Sequence, residues 1–101
     1  MIKTTITQED QVCVMTIEGR LDTSASAQTE QDMQPLFDYQ GEHIVIDCSK
    51  LDYISSSGLR LFLRLQKSTT PRGCKVTLKG LSDDIRQVFV MTGFSRLFEI
   101  V

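Results

Sequence analysis

The chain opens on an alternation, with Ile2 and Ile6 apolar and Lys3, Thr5 and Thr7 polar. A period of two predicts a short, one-sided strand at a sheet edge. Glu9-Asp10-Gln11 makes a polar turn, and Val12-Cys13-Val14-Met15-Thr16-Ile17 is more continuously apolar, hence a more central strand. A hairpin is the simplest link between the two. Gly19-Arg20-Leu21-Asp22 closes the second strand, and Thr23 or Ser24 is placed to cap a helix after it.

From Ser24 to Tyr39 the period becomes helical: Ala25, Thr29, Met33 and Leu36-Phe37 share one face. Pro35 removes a backbone donor and disfavours helix at Gln34. The expectation is a helix to Met33, then a kink or fresh turn carrying Leu36 and Phe37 to the core, with Gly41 ending it. His43 to Cys48 alternates again, with Ile44, Ile46 and Cys48 on one side and Val45 and Asp47 on the other. Ser49 to Ile54 is expected to be a loop. A strongly amphipathic helix is expected from Ser56 to Ser68. Leu59, Phe62, Leu63 and Gln66 mark its apolar stripe, Leu61 and Leu65 widen it, and Arg60, Arg64 and Lys67 lie outside.

Thr70-Pro71-Arg72-Gly73 stops that helix. Cys74 to Leu78 is the cleanest alternation, predicting a sheet covered on one face, with Lys75, Thr77 and Lys79 on the open side. Ser82 caps a last helix with Asp83 and Asp84 in its first turn, where the helix dipole favours negative charge. Ile85, Val88, Phe89 and Thr92 form its buried stripe, Gly93 ends it, and Leu97 to Val101 reads as a terminal strand. The order β-β-α-β-α-β-α-β is that of an α/β fold. It predicts one domain over residues 1–101, a mixed sheet with parallel central strands, and helices mainly on one face.

Charge and composition then narrow the function. Lys+Arg 11 against Asp+Glu 13 leaves a net charge of −2, which argues against nucleic-acid binding. No apolar run approaches a membrane span, and the start lacks the pattern of a signal peptide, so a cytoplasmic protein without membrane insertion is expected. Cys13, Cys48 and Cys74 are far apart in apolar stretches, with His43 the one histidine; they read as core residues, neither disulfides nor a metal site. No nucleophile–base–orienter set, phosphate-cradling glycine loop or dinucleotide fingerprint is present. Asp47 and Asp52 are more simply a strand-end and a turn residue, and His43 a solvent-facing residue entering a strand. A non-enzyme without metal or cofactor is expected.

The unusual segment is Leu51-Asp52-Tyr53-Ile54-Ser55-Ser56-Ser57-Gly58-Leu59-Arg60, where loop becomes helix. A serine there caps the free backbone N–H groups, and one suffices. Three serines and a glycine leave the helix mouth small and polar, which also suits a phosphate attached to its first turn. Both readings fit the residues.

Tyr53 to Arg60, preceded by Ile44-Val45-Ile46-Asp47-Cys48-Ser49, resembles the signature of the STAS domain family, and within it the bacterial anti-sigma factor antagonists. Gly19-Arg20-Leu21-Asp22 and Met91-Thr92-Gly93-Phe94 extend the resemblance over nearly the whole chain. It implies a protein that binds an anti-sigma factor serine kinase, frees a sigma factor, is released when one serine is phosphorylated, and is reset by a PP2C-type phosphatase. The family's motif is Asp-Ser-Ser/Thr-Gly with its first serine modified; carried over, that serine is Ser56, and Ser55 stands where the family has Asp. Ser55 and Ser57 are the alternative acceptors. The resemblance also admits a passive interaction domain in a transporter or lipid-trafficking assembly. The expected recognition surface comprises Ser55, Ser56, Ser57 and Gly58 with Asp22, Thr23 and Ser24 from the neighbouring loop, since both loops leave the C-terminal ends of parallel strands.

Overall fold

The hairpin drawn from the first alternation is present in the computed structural model, which describes residues 2–101. Strands β1 (Ile2–Glu9) and β2 (Val12–Leu21) pair antiparallel through a tight turn at Asp10, whose φ of 50° lies in the left-handed region. Strands β3 (His43–Ile54), β4 (Lys75–Lys79) and β5 (Glu99–Ile100) complete one sheet in the order β1-β2-β3-β4-β5. The β2–β3, β3–β4 and β4–β5 pairs are all parallel. The mixed α/β sheet expected from the element order is therefore the one observed.

Helices α1 (Thr23–Asp32), α2 (Gln34–Phe37), α3 (Ser56–Thr69) and α4 (Asp83–Met91) connect the strands. The break between α1 and α2 falls where Pro35 requires it, and Thr29, Met33 and Leu36 are fully buried, as their spacing predicts. Gly41 does not end this segment; α2 stops at Phe37, and Asp38 closes it with its N–H bonded back to the carbonyls of Gln34 and Leu36. Cross-strand register places Cys13, Ile44 and Val76 in one row and Met15, Ile46 and Leu78 in the next, all buried beneath the helices. Phe62 of α3 packs on Phe89 of α4 at 6.2 Å between ring centroids, and Phe89 meets Phe98 edge-on at 5.9 Å. All three cysteines are free and buried in this core. On the opposite face Val12, Val14 and Val45 are only half-buried, so the helices lie mainly on one side.

Further expectations need correction. The segment Ser49–Ile54 is no loop: β3 continues through it beside β2, across register shifts between Thr16 and Glu18 and between Gly19 and Arg20. Those irregularities change the burial spacing from two to three, so Leu51 and Ile54 face inward without a period-two signature. The terminal strand is shorter than expected. Phe94–Arg96 form a 3-10 turn that uses the Leu97 N–H, Leu97 is exposed, and pairing begins at Glu99 opposite Thr77.

Thr77, expected on the open face, is buried there because its neighbours close over it. Its hydroxyl lies 2.7 Å from His43 Nε2 and donates to Glu99 Oε1 at 3.1 Å, while Lys75 pairs with the other Glu99 oxygen. His43 is thus half-buried and cross-linked at the start of β3 rather than simply facing solvent.

Candidate functional site at the mouths of α1 and α3

Parallel pairing of β2 with β3 brings Leu21 opposite Ile54, so the next residues, Asp22 and Ser55, leave the sheet side by side. The Ser55 N–H donates to the Leu21 carbonyl at 2.8 Å and ties the two strand ends together. Each of the two residues then caps a helix.

Asp22, and not Thr23 or Ser24, is the N-cap of α1. Its Oδ1 accepts from the Ala25 N–H and the Ser24 hydroxyl, both at 2.9 Å, and its carbonyl accepts from the Ser26 hydroxyl at 3.0 Å. The Ser24 hydroxyl first, and the Ala25 amide next, hold the Asp22 carboxyl below its ordinary pKa. A carboxylate outcompetes a hydroxyl for a first-turn amide because its charge is met by the helix dipole. Thr23 and Ser24 are exposed beside it.

Ser55 caps α3. Its Oγ accepts from the Gly58 N–H at 3.2 Å, its carbonyl accepts from the Leu59 N–H at 2.9 Å, and the residue is 7% exposed. Ser56 is exposed and Ser57 is half-buried. Three adjacent hydroxyls therefore occupy three environments. Ser55 is committed to the backbone, and Ser56 is presented to solvent on the first turn.

Gly58 does not open the mouth to a visitor, as its small size suggests in the sequence. It is buried, and an added Cβ would stand 2.8 Å from Leu21 Cγ and 2.9 Å from Ile54 Cγ1. The glycine lets α3 settle onto the ends of β2 and β3, which fixes the height at which Ser56 emerges.

Two features escape sequence reasoning. Arg20 stacks over the Tyr53 ring at 4.4 Å, and Tyr53 is 41% exposed beside the strand ends. The pair faces across β2 and β3 only because of the register shift after Gly19, which no local pattern announces. Asp47, seven residues before Ile54 on β3 and paired with Thr16, accepts from the Ser49 N–H at 3.0 Å, and bonding to Ser49 lowers its pKa.

A hollow of about 550 Å³ between the end of α3, β4 and the last turn is lined by Gln66, Thr70, Cys74, Arg96 and Phe98, and by none of the residues at the helix mouths. Among the described residues no group of three or more His, Cys, Asp or Glu could hold a metal ion, and no helix is long and apolar enough to cross a membrane. The mouths of α1 and α3 present Asp22, Thr23, Ser24, Ser56 and Ser57, polar groups whose chemistry is hydrogen bonding and charge.

A five-stranded mixed sheet with helices mainly on one face, and a serine-capped helix leaving its third strand, defines a small single-sheet α/β architecture. The STAS domain family profile matches residues 3–101, and the chain belongs to that family. It is 28% identical over 99 residues to BtrV of Bordetella bronchiseptica, covering 98% of this chain and 85% of that protein. It is 29% identical over 84 residues to the anti-sigma-B factor antagonist of Listeria monocytogenes, covering 83% of this chain and 74% of the relative. Among solved structures, an anti-sigma factor antagonist from Mycobacterium paratuberculosis superposes with a TM-score of 0.89 at 20% identity, over 99% of this chain and 85% of that one. SpoIIAA of Bacillus in its phosphorylated form superposes with a TM-score of 0.75 at 20% identity, over 98% and 91%.

Proposed function

We propose that this chain is an anti-sigma factor antagonist of the cytoplasm that docks through the mouths of α1 and α3 and is switched off by phosphorylation of Ser56. The observation that carries the reading is the division of labour among the serines: Ser55 is buried as the cap, and Ser56 stands exposed on a fold that needs nothing from its hydroxyl. The names of the Listeria relative and of the Mycobacterium structure support the antagonist role.

In this reading the partner is an anti-sigma factor with serine kinase activity, and a PP2C-type phosphatase reverses the modification. Asp22, Thr23, Ser24, Ser56 and Ser57 form the contact surface, with Ser55 and Gly58 shaping it from beneath. The chain acts by binding and itself performs no catalysis.

The switch arises from charge. A phosphoserine carries about −1.5 to −2 charges near neutral pH. In an interface shaped for a neutral hydroxyl, that charge loses its water without gaining a counter-ion from the docked partner. A penalty of roughly 3–4 kcal/mol weakens binding several-hundredfold. The fold itself tolerates the phosphate, because a dianion at a helix N-terminus meets the favourable end of the dipole.

Incubation with ATP and the anti-sigma kinase of the same organism, with mass-spectrometric mapping of the product, tests the assignment. Phosphate on Ser56, absent from a Ser56→Ala variant, is the expected result. No incorporation, or phosphate on Ser57 alone, overturns it.

A further inference from the structure

Helix α3 carries three cations, Arg60, Arg64 and Lys67, and no acidic residue. Two of the three are ill placed to serve its first turn. The Arg64 guanidinium donates to both Glu30 oxygens, at 3.0 and 3.2 Å, and lies 5.9 Å from the centre of the Phe37 ring. Lys67 lies in the last turn, eleven residues beyond Ser56 and so about 16 Å along the axis. Off the helix, Arg20 is stacked on Tyr53.

Arg60 is different. It is exposed, and it is four residues after Ser56, one turn further along the same face of α3. Among the described residues it makes no ion pair and donates no side-chain hydrogen bond, unlike Arg64 and Arg72.

We propose that Arg60 is the intramolecular partner of a phosphate on Ser56, a positioning residue that draws the dianion down along α3. The inference rests on the reading of Ser56 as the modified serine. An acid four residues N-terminal to a base is the favourable orientation of such a pair on a helix. The planar guanidinium fork also matches a phosphate better than an ammonium does. Before modification Ser56 is neutral, and Arg60 is free to face solvent or a docked protein. After modification the surface changes at two points, because a dianion is added and a cation is withdrawn.

The test places phosphoserine at residue 56 by genetic encoding, which needs no kinase, and compares the parent with Arg60→Gln and Arg60→Lys. The second phosphate pKa is read from the phosphorus-31 chemical shift across the pH range. Pairing lowers it in the parent by about 0.3 unit relative to Arg60→Gln, with Arg60→Lys between the two, and added salt shrinks the gap. The Arg60 Nε–H proton resonance moves with the same titration. Circular dichroism should be unchanged in both variants, since Arg60 is exposed.

Equal phosphate pKa values in parent and Arg60→Gln, within about 0.1 unit, overturn the pairing and leave phosphorylation of Ser56 intact. Absence of phosphate transfer from a kinase overturns the parent reading without touching this measurement. The two failures are therefore distinguishable.

Discussion

Ser55, Ser56 and Ser57 are chemically alike, so whatever separates their roles comes from position. Ser55 loses a cap and leaves the Gly58 amide without its acceptor when replaced by alanine, and Ser55→Ala should cost about 1 kcal/mol, read as a lowered urea midpoint at constant slope. Ser56→Ala should stay within about 0.5 kcal/mol of the parent, because the exposed hydroxyl makes no bond the fold relies on. Equal losses at the two positions would contradict the division of labour. Gly58→Ala forces a methyl against Leu21 and Ile54 and should destabilise by about 1–3 kcal/mol. At this scale the serine cluster was legible as unusual, and one serine as a cap. Which serine caps was not legible, since the answer depends on where β3 ends. The capping of α1 by Asp22 was hidden for the same reason: three neighbouring residues, Asp22, Thr23 and Ser24, all have capping side chains.

At the scale of elements, what the sequence shows best are the segments with a sustained period. The stripe on α3 places Leu59, Phe62 and Leu65 in the core as expected, with Leu63 and Gln66 half-buried at its margin. The alternation in β2 and in the first half of β3 is just as clear. The second half of β3 was unreadable because its inward residues, Leu51 and Ile54, stand three apart. That extension makes a direct prediction. Leu51→Ala should cost about 2–4 kcal/mol, since the side chain is 3% exposed in the core, whereas Asp52→Ala beside it should change stability by less than about 0.5 kcal/mol. A loop at these positions would make the two substitutions similarly mild. The shortened β5 has a related cause. Apolar Leu97 and Phe98 imitate a strand, but the turn at Gly93, with φ of 80°, delays pairing until Glu99.

For the whole molecule, several carboxylates are held below their ordinary pKa by contacts that exist only in the folded chain. Hydrogen bonding from Ser24 does so for Asp22, bonding from Arg64 for Glu30, from Ser49 for Asp47 and from Lys75 for Glu99. A carboxyl with a depressed folded pKa contributes stability that is complete above its unfolded value and is lost as pH falls through its folded value. The urea midpoint should therefore be flat from neutrality down to about pH 5 and decline below about pH 4. A midpoint that instead falls between pH 8 and 6 would contradict this assignment. The same fold that sets these pairs leaves the mouths of α1 and α3 at one end of the sheet, away from the open face and away from the hollow beside β4. The topology was legible because each crossover helix dictates a parallel neighbour. The proposed docking role was legible only through family resemblance, since exposed polar residues at helix mouths have no period to betray their use.

In the proposed switch, charge at residue 56 breaks a docking surface without disturbing the fold. Its most direct test is calorimetric titration of the cognate anti-sigma kinase with unmodified and Ser56-phosphorylated chain, alongside their urea midpoints. A several-hundredfold loss of affinity on phosphorylation is expected, with stability within about 1 kcal/mol of the unmodified chain. Equal affinities for the two forms, or a phosphorylated chain that loses binding only because it unfolds, would contradict it.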